Sequence, residues 1–179
     1  MFSNKNNAAL TRFTRQHLDG WRLGKVISAS GVMMSGWTDD NRVFLLSPEV
    51  YSITDIGATR NGSNYKIEGE FFSSSLSKDN LTISIDNQEK INIFGIWGGD
   101  GCHYTEDRWQ LERFYQSHYE EVIGIRNNSN KKVAKGYWEN FQLIKLHRLE
   151  YVKLKMGFSP DQNHFGIFGS GGAEIYTRD

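Results

Sequence analysis

A glycine-rich aromatic turn is the feature that most constrains the fold of this chain, because it recurs. Its two long copies occupy residues 92–107 and 163–179, and a weaker copy runs from residue 23 to residue 40. A strand-like run precedes each copy at the same distance along the chain. A turn that is used three times predicts repeated supersecondary units, so we divide the chain into repeat-like segments 1–40, 41–107 and 108–179, with a period of about 70 residues.

The strand-like runs and the amino-acid composition favour an all-β fold. Residues 81–85 and 152–156 alternate apolar and polar side chains, which is the period of a half-buried strand. Eighteen glycines, 13% aromatic residues and only two prolines are typical of sheets joined by tight turns. Residues 108–122 and 141–156 could also form helices by pattern, but the repeat favours strands there. We therefore predict one all-β, prism-like domain over residues 1–179, with about ten to twelve short antiparallel strands.

The charge balance and the single cysteine exclude several classes of protein. Lysine plus arginine equals aspartate plus glutamate at 21 each, so we expect neither a nucleic-acid partner nor attraction to an anionic membrane. One cysteine, Cys102, rules out an intramolecular disulfide and the four-cysteine zinc patterns. The N-terminus has no apolar run of signal-peptide length, and no segment is long enough to insert into a bilayer. We expect a soluble protein that is cytoplasmic, or released without a visible signal peptide.

Two loops resemble those of the jacalin-related lectins, whose domains have the β-prism fold. The loop over residues 95–101 reads Gly-Ile-Trp-Gly-Gly-Asp-Gly and precedes Tyr104 and the pair Glu106–Asp107. It is similar to the family's Gly-x-Trp-Gly-Gly-x-Gly loop, which precedes an aromatic residue and an acidic pair. The segment Gly36–Asp40 is similar to the family's Gly-x-x-x-Asp sugar loop, although the two loops occur here in the reverse of the usual order, as in a permuted chain.

The resemblance implies a carbohydrate-binding protein without catalysis, metal or cofactor. Asp40 would accept hydrogen bonds from sugar hydroxyls, Trp37 would stack on the sugar ring, and the second glycine loop would supply backbone amides. The partner would be a glycan or glycoconjugate, and a weak single site leads us to expect a homo-oligomer that gains avidity. The predicted carbohydrate-binding residues are Gly36, Trp37, Asp39, Asp40, Gly98, Gly99, Asp100, Gly101 and Tyr104.

A purely structural interpretation of the same residues stays open. In it the glycines only make positive-φ turns and the aromatic residues Trp37, Trp97 and Tyr104 belong to the core. The aspartates Asp40, Asp107 and Asp179 would then cap the same turn three times.

Two other functional classes compete with the lectin hypothesis. A non-enzymatic interaction module, such as an immunity, toxin-associated or receptor-binding domain, would use a broader apolar patch in place of a small polar site. A small β-barrel enzyme could use His103 with Cys102 and Asp107, or a metal held by His103, His118 and Glu106. Neither set has a recognised ligand spacing, so we expect no catalytic activity.

Overall fold

The prediction of an all-β domain is confirmed. The computed structural model describes residues 14–15, 18–59, 62–67, 74–85, 89–95, 99–115, 121–129, 137–144, 146 and 154–179. Across these ranges there are fourteen strands, slightly more than expected, one short 3₁₀ helix, Tyr137–Asn140, and two further helical residues, 74–75. The strands are β1 Thr14–Arg15, β2 Trp21–Ser28, β3 Met34–Trp37, β4 Val43–Leu46, β5 Val50–Thr54, β6 Ser63–Lys66, β7 Thr82–Ile85, β8 Glu89–Gly95, β9 Trp109–Tyr115, β10 Glu121–Asn127, β11 Gln142–Ile144, β12 Lys155–Phe158, β13 His164–Gly169 and β14 Gly172–Arg178.

The strands form three sheets, as a prism-like arrangement requires. Sheet A has the order β1-β11-β10-β9, sheet B has the order β12-β13-β14-β2, and sheet C has the order β6-β5-β4-β3-β8-β7. All strand pairs are antiparallel except β1 with β11. The two segments with an ambiguous pattern contain strands β9 and β11 and the starts of β10 and β12, and none of their described residues is in an α-helix, so the strand interpretation is confirmed for these elements.

Sheet B lies between the other two sheets and is buried on both faces. One face, which includes Phe165, Ile167 and Tyr176, packs against apolar residues of sheet A. The opposite face, which includes Phe168 and Ile175, packs against sheet C. This arrangement explains why β13 carries apolar residues at consecutive positions instead of alternating them.

Sheet C curls around a third apolar cluster on its far side. Strand β4 reads Val-Phe-Leu-Leu and is fully buried, because Val43 and Leu45 face sheet B while Phe44 and Leu46 face the inside of the curl. Isoleucines of β7 and β8 close this cluster. Within the described chain, we find no helix with the length and apolar character needed to cross a membrane.

One local turn is built four times in the described residues. Each copy begins with a serine or threonine, carries an aspartate two positions later, and has a residue at positive φ one position after that. In every copy the side-chain hydroxyl of the first residue donates to the aspartate, and its oxygen accepts the backbone N–H of the last residue. The four turns are Thr38–Arg42, Ser77–Thr82, Thr105–Trp109 and Ser159–His164.

The capping interpretation of the aspartates is therefore partly right. Asp40 and Asp107 do cap equivalent turns. The proposed third member, Asp179, is wrong: it follows β14, and its side chain lies 3.8 Å from Arg22 Nε. Asp79 and Asp161 take that role instead, in turns that are one residue longer.

Candidate functional site

The first predicted sugar loop belongs to the sheet and to one of the repeated turns. Gly36 and Trp37 are residues of β3, and Trp37 is only 4% exposed. Its Nε1–H donates to the carbonyl oxygen of Gly157 at 3.2 Å. The predicted stacking role of Trp37 is therefore wrong, because a sugar cannot reach a ring that is enclosed by sheets B and C. Gly36 allows β3 and β8 to pair closely, since a Cβ at this position would lie 2.3 Å from the carbonyl oxygen of Asn92.

The carboxylate of Asp40 is exposed and is held within its own turn. It accepts a hydrogen bond from Thr38 Oγ1 and a bifurcated one from the Nε–H of Arg42, which lies 2.8 and 2.7 Å from the two carboxylate oxygens. The hydrogen bond from Arg42 is the main reason that the pKa of Asp40 is lowered. The neighbouring Asp39 is exposed in the same turn. Since three other turns hold an aspartate in the same way, turn stabilisation explains Asp40 without a ligand.

Three of the four turns meet at one end of the molecule. Asn41 Oδ1 accepts the backbone N–H of Asp161 at 2.9 Å. Gln162 Oε1 accepts the backbone N–H of Glu106 at 2.8 Å. The turns are thus hydrogen-bonded to one another through side chains at their positive-φ positions, which gives this end a structural role.

The second predicted loop is described from Gly99 onward, and Gly98 lies outside the described residues. Gly99 is exposed and has open space around it. Gly101 lies against β12, where an added Cβ would come within 3.0 Å of Gly157 Cα. Asp100 turns inward and forms a bidentate ion pair with Arg113 Nη2, at 3.0 and 2.8 Å. The carboxylate of Asp100 is thus engaged inside the protein.

His103 has a different carboxylate neighbour from the one that the enzyme hypothesis proposed. Its Nε2 lies 3.7 Å from Asp100 Oδ2, whereas Asp107 is held by Thr105 and Arg178. Partial burial lowers the pKa of His103, although the charge of Asp100 opposes this shift. The Cys102 thiol is exposed and donates to the carbonyl oxygen of Tyr104 at 3.1 Å. His118, the other proposed metal ligand, lies outside the described residues.

Of the predicted carbohydrate-binding residues, Tyr104 belongs to a polar network at the protein surface. Its side chain is 58% exposed, and its hydroxyl accepts a hydrogen bond from Gln110 Nε2 at 3.2 Å. Gln110 is only 4% exposed, although its side chain is on the outer face of sheet A. Its Nε2 also donates to Glu112 Oε2 at 3.1 Å. Its Oε1 accepts from Arg126 Nε and Nη2, at 3.0 and 2.8 Å, and from Asn128 Nδ2 at 3.1 Å.

A second exposed tyrosine reaches the same network from the far side. Tyr137 is 56% exposed, and its hydroxyl donates to Glu112 Oε2 at 3.2 Å. The guanidinium group of Arg126 lies over the ring of Phe141 at 4.5 Å and over that of Tyr137 at 5.3 Å. We call this surface the Gln110 platform and define it by Tyr104, Gln110, Glu112, Arg126, Asn128 and Tyr137.

The pleat of sheet A explains why these side chains come together. Gln110 and Glu112 alternate with inward-facing residues of β9, and Gln110 pairs with Arg126 of β10. Gly124 pairs with Glu112 and leaves space for aromatic rings, since a Cβ there would lie 2.9 Å from both Phe114 and Phe141. The period-two pattern of Gln110 and Glu112 was the only signal of this site in the sequence. We missed the site because its partners come from three distant segments.

Comparisons with known proteins identify no relative. No protein-family model matches this chain, no curated protein matches it, and no solved structure matches it. The resemblance to jacalin-related lectins therefore remains a prediction from the loops alone.

Proposed function

We propose that this protein binds carbohydrate without catalysis, and that the Gln110 platform is the binding site. The observation that carries the proposal is the pair of exposed tyrosines, Tyr104 and Tyr137, on either side of one hydrogen-bonded polar network. Sugars present both C–H faces and hydroxyl groups, so they need apolar ring surface beside directed donors and acceptors. The resemblance of the Gly95–Gly101 loop to lectin loops supports the same ligand class.

The platform retains hydrogen-bonding capacity after its internal bonds are counted. Both internal bonds to Glu112 end on Oε2, which leaves Oε1 without a hydrogen bond from the described residues. Asn128 uses its Nδ2 internally, so its Oδ1 can accept from a ligand. Arg126 uses Nε and Nη2, so its Nη1 can donate. A carboxylate, an amide oxygen and a guanidinium group can together orient neighbouring sugar hydroxyls through charge-assisted hydrogen bonds.

The internal bonds also fix these groups before a ligand arrives. Gln110 is buried and holds four platform side chains at once, so binding would order few of them further. A preorganised site loses less side-chain entropy on binding, which matters for a ligand that makes few contacts. The platform is polar between its two rings, which favours a sugar over the broad apolar patch expected of a protein interface.

A glycan array with matched variants tests the proposal. Wild-type protein should bind at least one glycan, and Tyr104→Ala and Glu112→Gln should each weaken that binding by about tenfold or more. The control is Tyr65→Ala, which removes an exposed tyrosine from β6 of sheet C and should leave binding unchanged. Absence of binding to every glycan at high protein density would contradict the proposed function. Equal loss in all three variants would move the site away from the platform.

A further inference from the structure

Strand β2 ends sheet B, and its outer edge carries no partner strand among the described residues. The backbone groups of Ile27, in β2, and of Ala29, just after it, face β14. Ala29 N–H donates to the carbonyl oxygen of Gly171, and the carbonyl oxygen of Ile27 points toward Gly172. Because neighbouring residues of a strand direct their backbone groups to opposite sides, those of Val26 and Ser28 point to the open edge. An open edge of this kind is a template for another strand.

A cleft of about 280 Å³ lies beside this edge, on the side of sheet C. Ile27 and Ala29 line the wall formed by β2, and Val50, Ser52, Thr54 and Asn64 line the floor formed by β5 and β6. Because β2 is the last strand of sheet B and the cleft beside it has a floor of β5 and β6, this floor extends past the place where sheet B ends. No residue that lines the cleft is charged.

The other face of β2 is apolar and exposed at the same place. Leu23 is 39% exposed and Val26 is 37% exposed. The pairing of β2 with β14 shifts register between Ile175 and Tyr176, so that Leu23 lies opposite Tyr176 and Val26 lies opposite Glu174. Both side chains are therefore on the same face of β2. A strand added beside the end of β2 would therefore cover Val26 with one face and fill the cleft with the other.

We propose that this strand position, which no described strand fills, takes an extended peptide of a partner protein that pairs with residues Val26–Ser30, at the end of β2 and just after it. Lys25 marks one end of this strand position. Its side chain extends from β2 to the residues after β5, where Nζ donates to the carbonyl oxygens of Asp55 and Ala58, at 2.8 and 2.6 Å. The peptide carries uncharged side chains at the alternate positions that enter the cleft. Backbone hydrogen bonds supply the affinity and the cleft supplies the selectivity, as in other cases of strand addition.

The geometry favours a single strand over two other occupants. The first is a second copy of this chain, with the two β2 strands paired antiparallel. In that dimer both copies would place sheet C on the same side of the joined sheet, and the parts of sheet C that extend past β2 would collide. A sugar would account for the cleft but would leave the edge of β2 and the exposed Val26 without a partner. This proposal is independent of carbohydrate binding at the Gln110 platform.

Phage-displayed random heptapeptides, panned against the full-length protein, provide the probe. A synthetic peptide of an enriched sequence should bind, and the charge introduced by Asn64→Arg on the cleft floor should weaken binding by about tenfold. Ser63→Arg is the matched control, since Ser63 is exposed on the opposite face of the same strand and should change binding by less than about twofold. The platform variant Glu112→Gln should not affect the peptide, which separates this proposal from the proposed function.

Methylation of the peptide backbone tests the strand geometry directly. N-methyl groups at every second residue should each weaken binding by about tenfold, because they remove the N–H groups that face β2, and methylation at the intervening residues should not. An N-methyl series without this alternation would overturn the proposal. Failure to enrich any peptide, binding that ignores Asn64→Arg, or competition by a neutral oligosaccharide that depends on Asn64 would overturn it as well.

Discussion

The repeated turns and the Gln110 platform both place carboxylates in hydrogen-bond networks, but they assemble those networks in different ways. In the turn Thr38–Arg42, every partner of Asp40 lies within two residues of it in the chain. In the platform, Gln110 joins Tyr104 and Glu112 to Arg126 and Asn128 of a different strand and the turn after it. Local networks of the first kind recur wherever the chain needs the same turn. The network around Gln110 joins distant segments on an exposed surface, and the repeated turn does not explain why these side chains are brought together.

This difference distinguishes the turn aspartates, which stabilise the fold, from the platform that we propose as the binding site. Four copies of one turn need four aspartates for the same structural reason, so the presence of Asp40 says little about a ligand. The Gln110 network joins separate segments at the surface, and it leaves acceptor and donor atoms of Glu112, Asn128 and Arg126 open beside two exposed rings.

Gln110→Leu should produce the largest change. The substitution removes five hydrogen bonds from a buried amide and leaves Arg126 and Asn128 without their acceptor. We expect the free energy of unfolding to fall by about 2–3 kcal/mol and carbohydrate binding to disappear, as measured by urea denaturation and by glycan binding. Gln142→Leu, which removes hydrogen bonds to the exposed backbone of Asp19, should cost about 1 kcal/mol or less and keep binding intact.

Removal of a turn hydroxyl should lower stability without an effect on binding. Thr38→Val and Thr105→Val preserve the shape of a buried side chain and remove its hydrogen bonds to the aspartate and to the end of the turn. Each should lower the free energy of unfolding by about 1–2 kcal/mol. Loss of glycan binding in Thr38→Val at temperatures where the variant is fully folded would show that the turn has more than a structural role.

Acid should destabilise the protein through the turns. Hydrogen bonds from Arg42, Ser77 and Thr105 lower the pKa of Asp40, Asp79 and Asp107, respectively. Burial opposes this effect at Asp161, yet bonds from Ser159 and Asn163 still lower its pKa. Because the folded pKa lies below the unfolded value of about 3.9, the stabilisation is complete above that value and is lost as the pH falls through the folded pKa.

Urea denaturation between pH 2 and pH 6 measures this dependence. The slope of unfolding free energy against pH should be positive below about pH 4 and should decrease in Asp40→Asn and Asp107→Asn. The double variant should lose both contributions. An unchanged slope in the double variant would mean that the turn carboxylates do not differ between the folded and unfolded states.

Tyr104→Phe should have the smallest effect. The ring remains available for stacking, and only the hydroxyl that accepts from Gln110 is lost. We expect affinity for the bound glycan to change by no more than about threefold, in contrast to Tyr104→Ala. Titration by isothermal calorimetry distinguishes the two results, and an equal loss in both variants would assign the contribution of Tyr104 to its hydroxyl group.

The sequence was informative about the fold because the relevant signals are local. Alternation in residues 81–85 predicted strand β7. The continuous apolar run of β4 is an equally local feature, and it reflects the burial of both faces of that strand. Two copies of the aspartate turn, at Asp40 and Asp107, were predicted correctly and the third, at Asp179, was not. The copies at Ser77 and Ser159 were missed because they contain one more residue.

The candidate site was harder to predict because it depends on register between distant strands. Trp37 was assigned to a ligand from its place in a glycine-containing loop, yet the two sheets that bury it are defined only by long-range pairing. Gln110 and Glu112 had a visible alternation, but nothing in the sequence places Arg126 opposite Gln110 or Tyr137 beside Glu112. Local patterns can predict a turn, whereas a surface built from three segments requires their pairing to be known.

The most direct test compares one carboxylate from each region against the same glycan. Glu112→Gln and Asp40→Asn each replace a carboxylate with an amide of similar size, the first in the Gln110 platform and the second in the predicted sugar loop. We expect affinity to fall by about tenfold or more in Glu112→Gln and to stay within about twofold of wild type in Asp40→Asn. Loss of binding in Asp40→Asn with retention in Glu112→Gln would contradict a site at the Gln110 platform and return it to the Gly36–Asp40 loop.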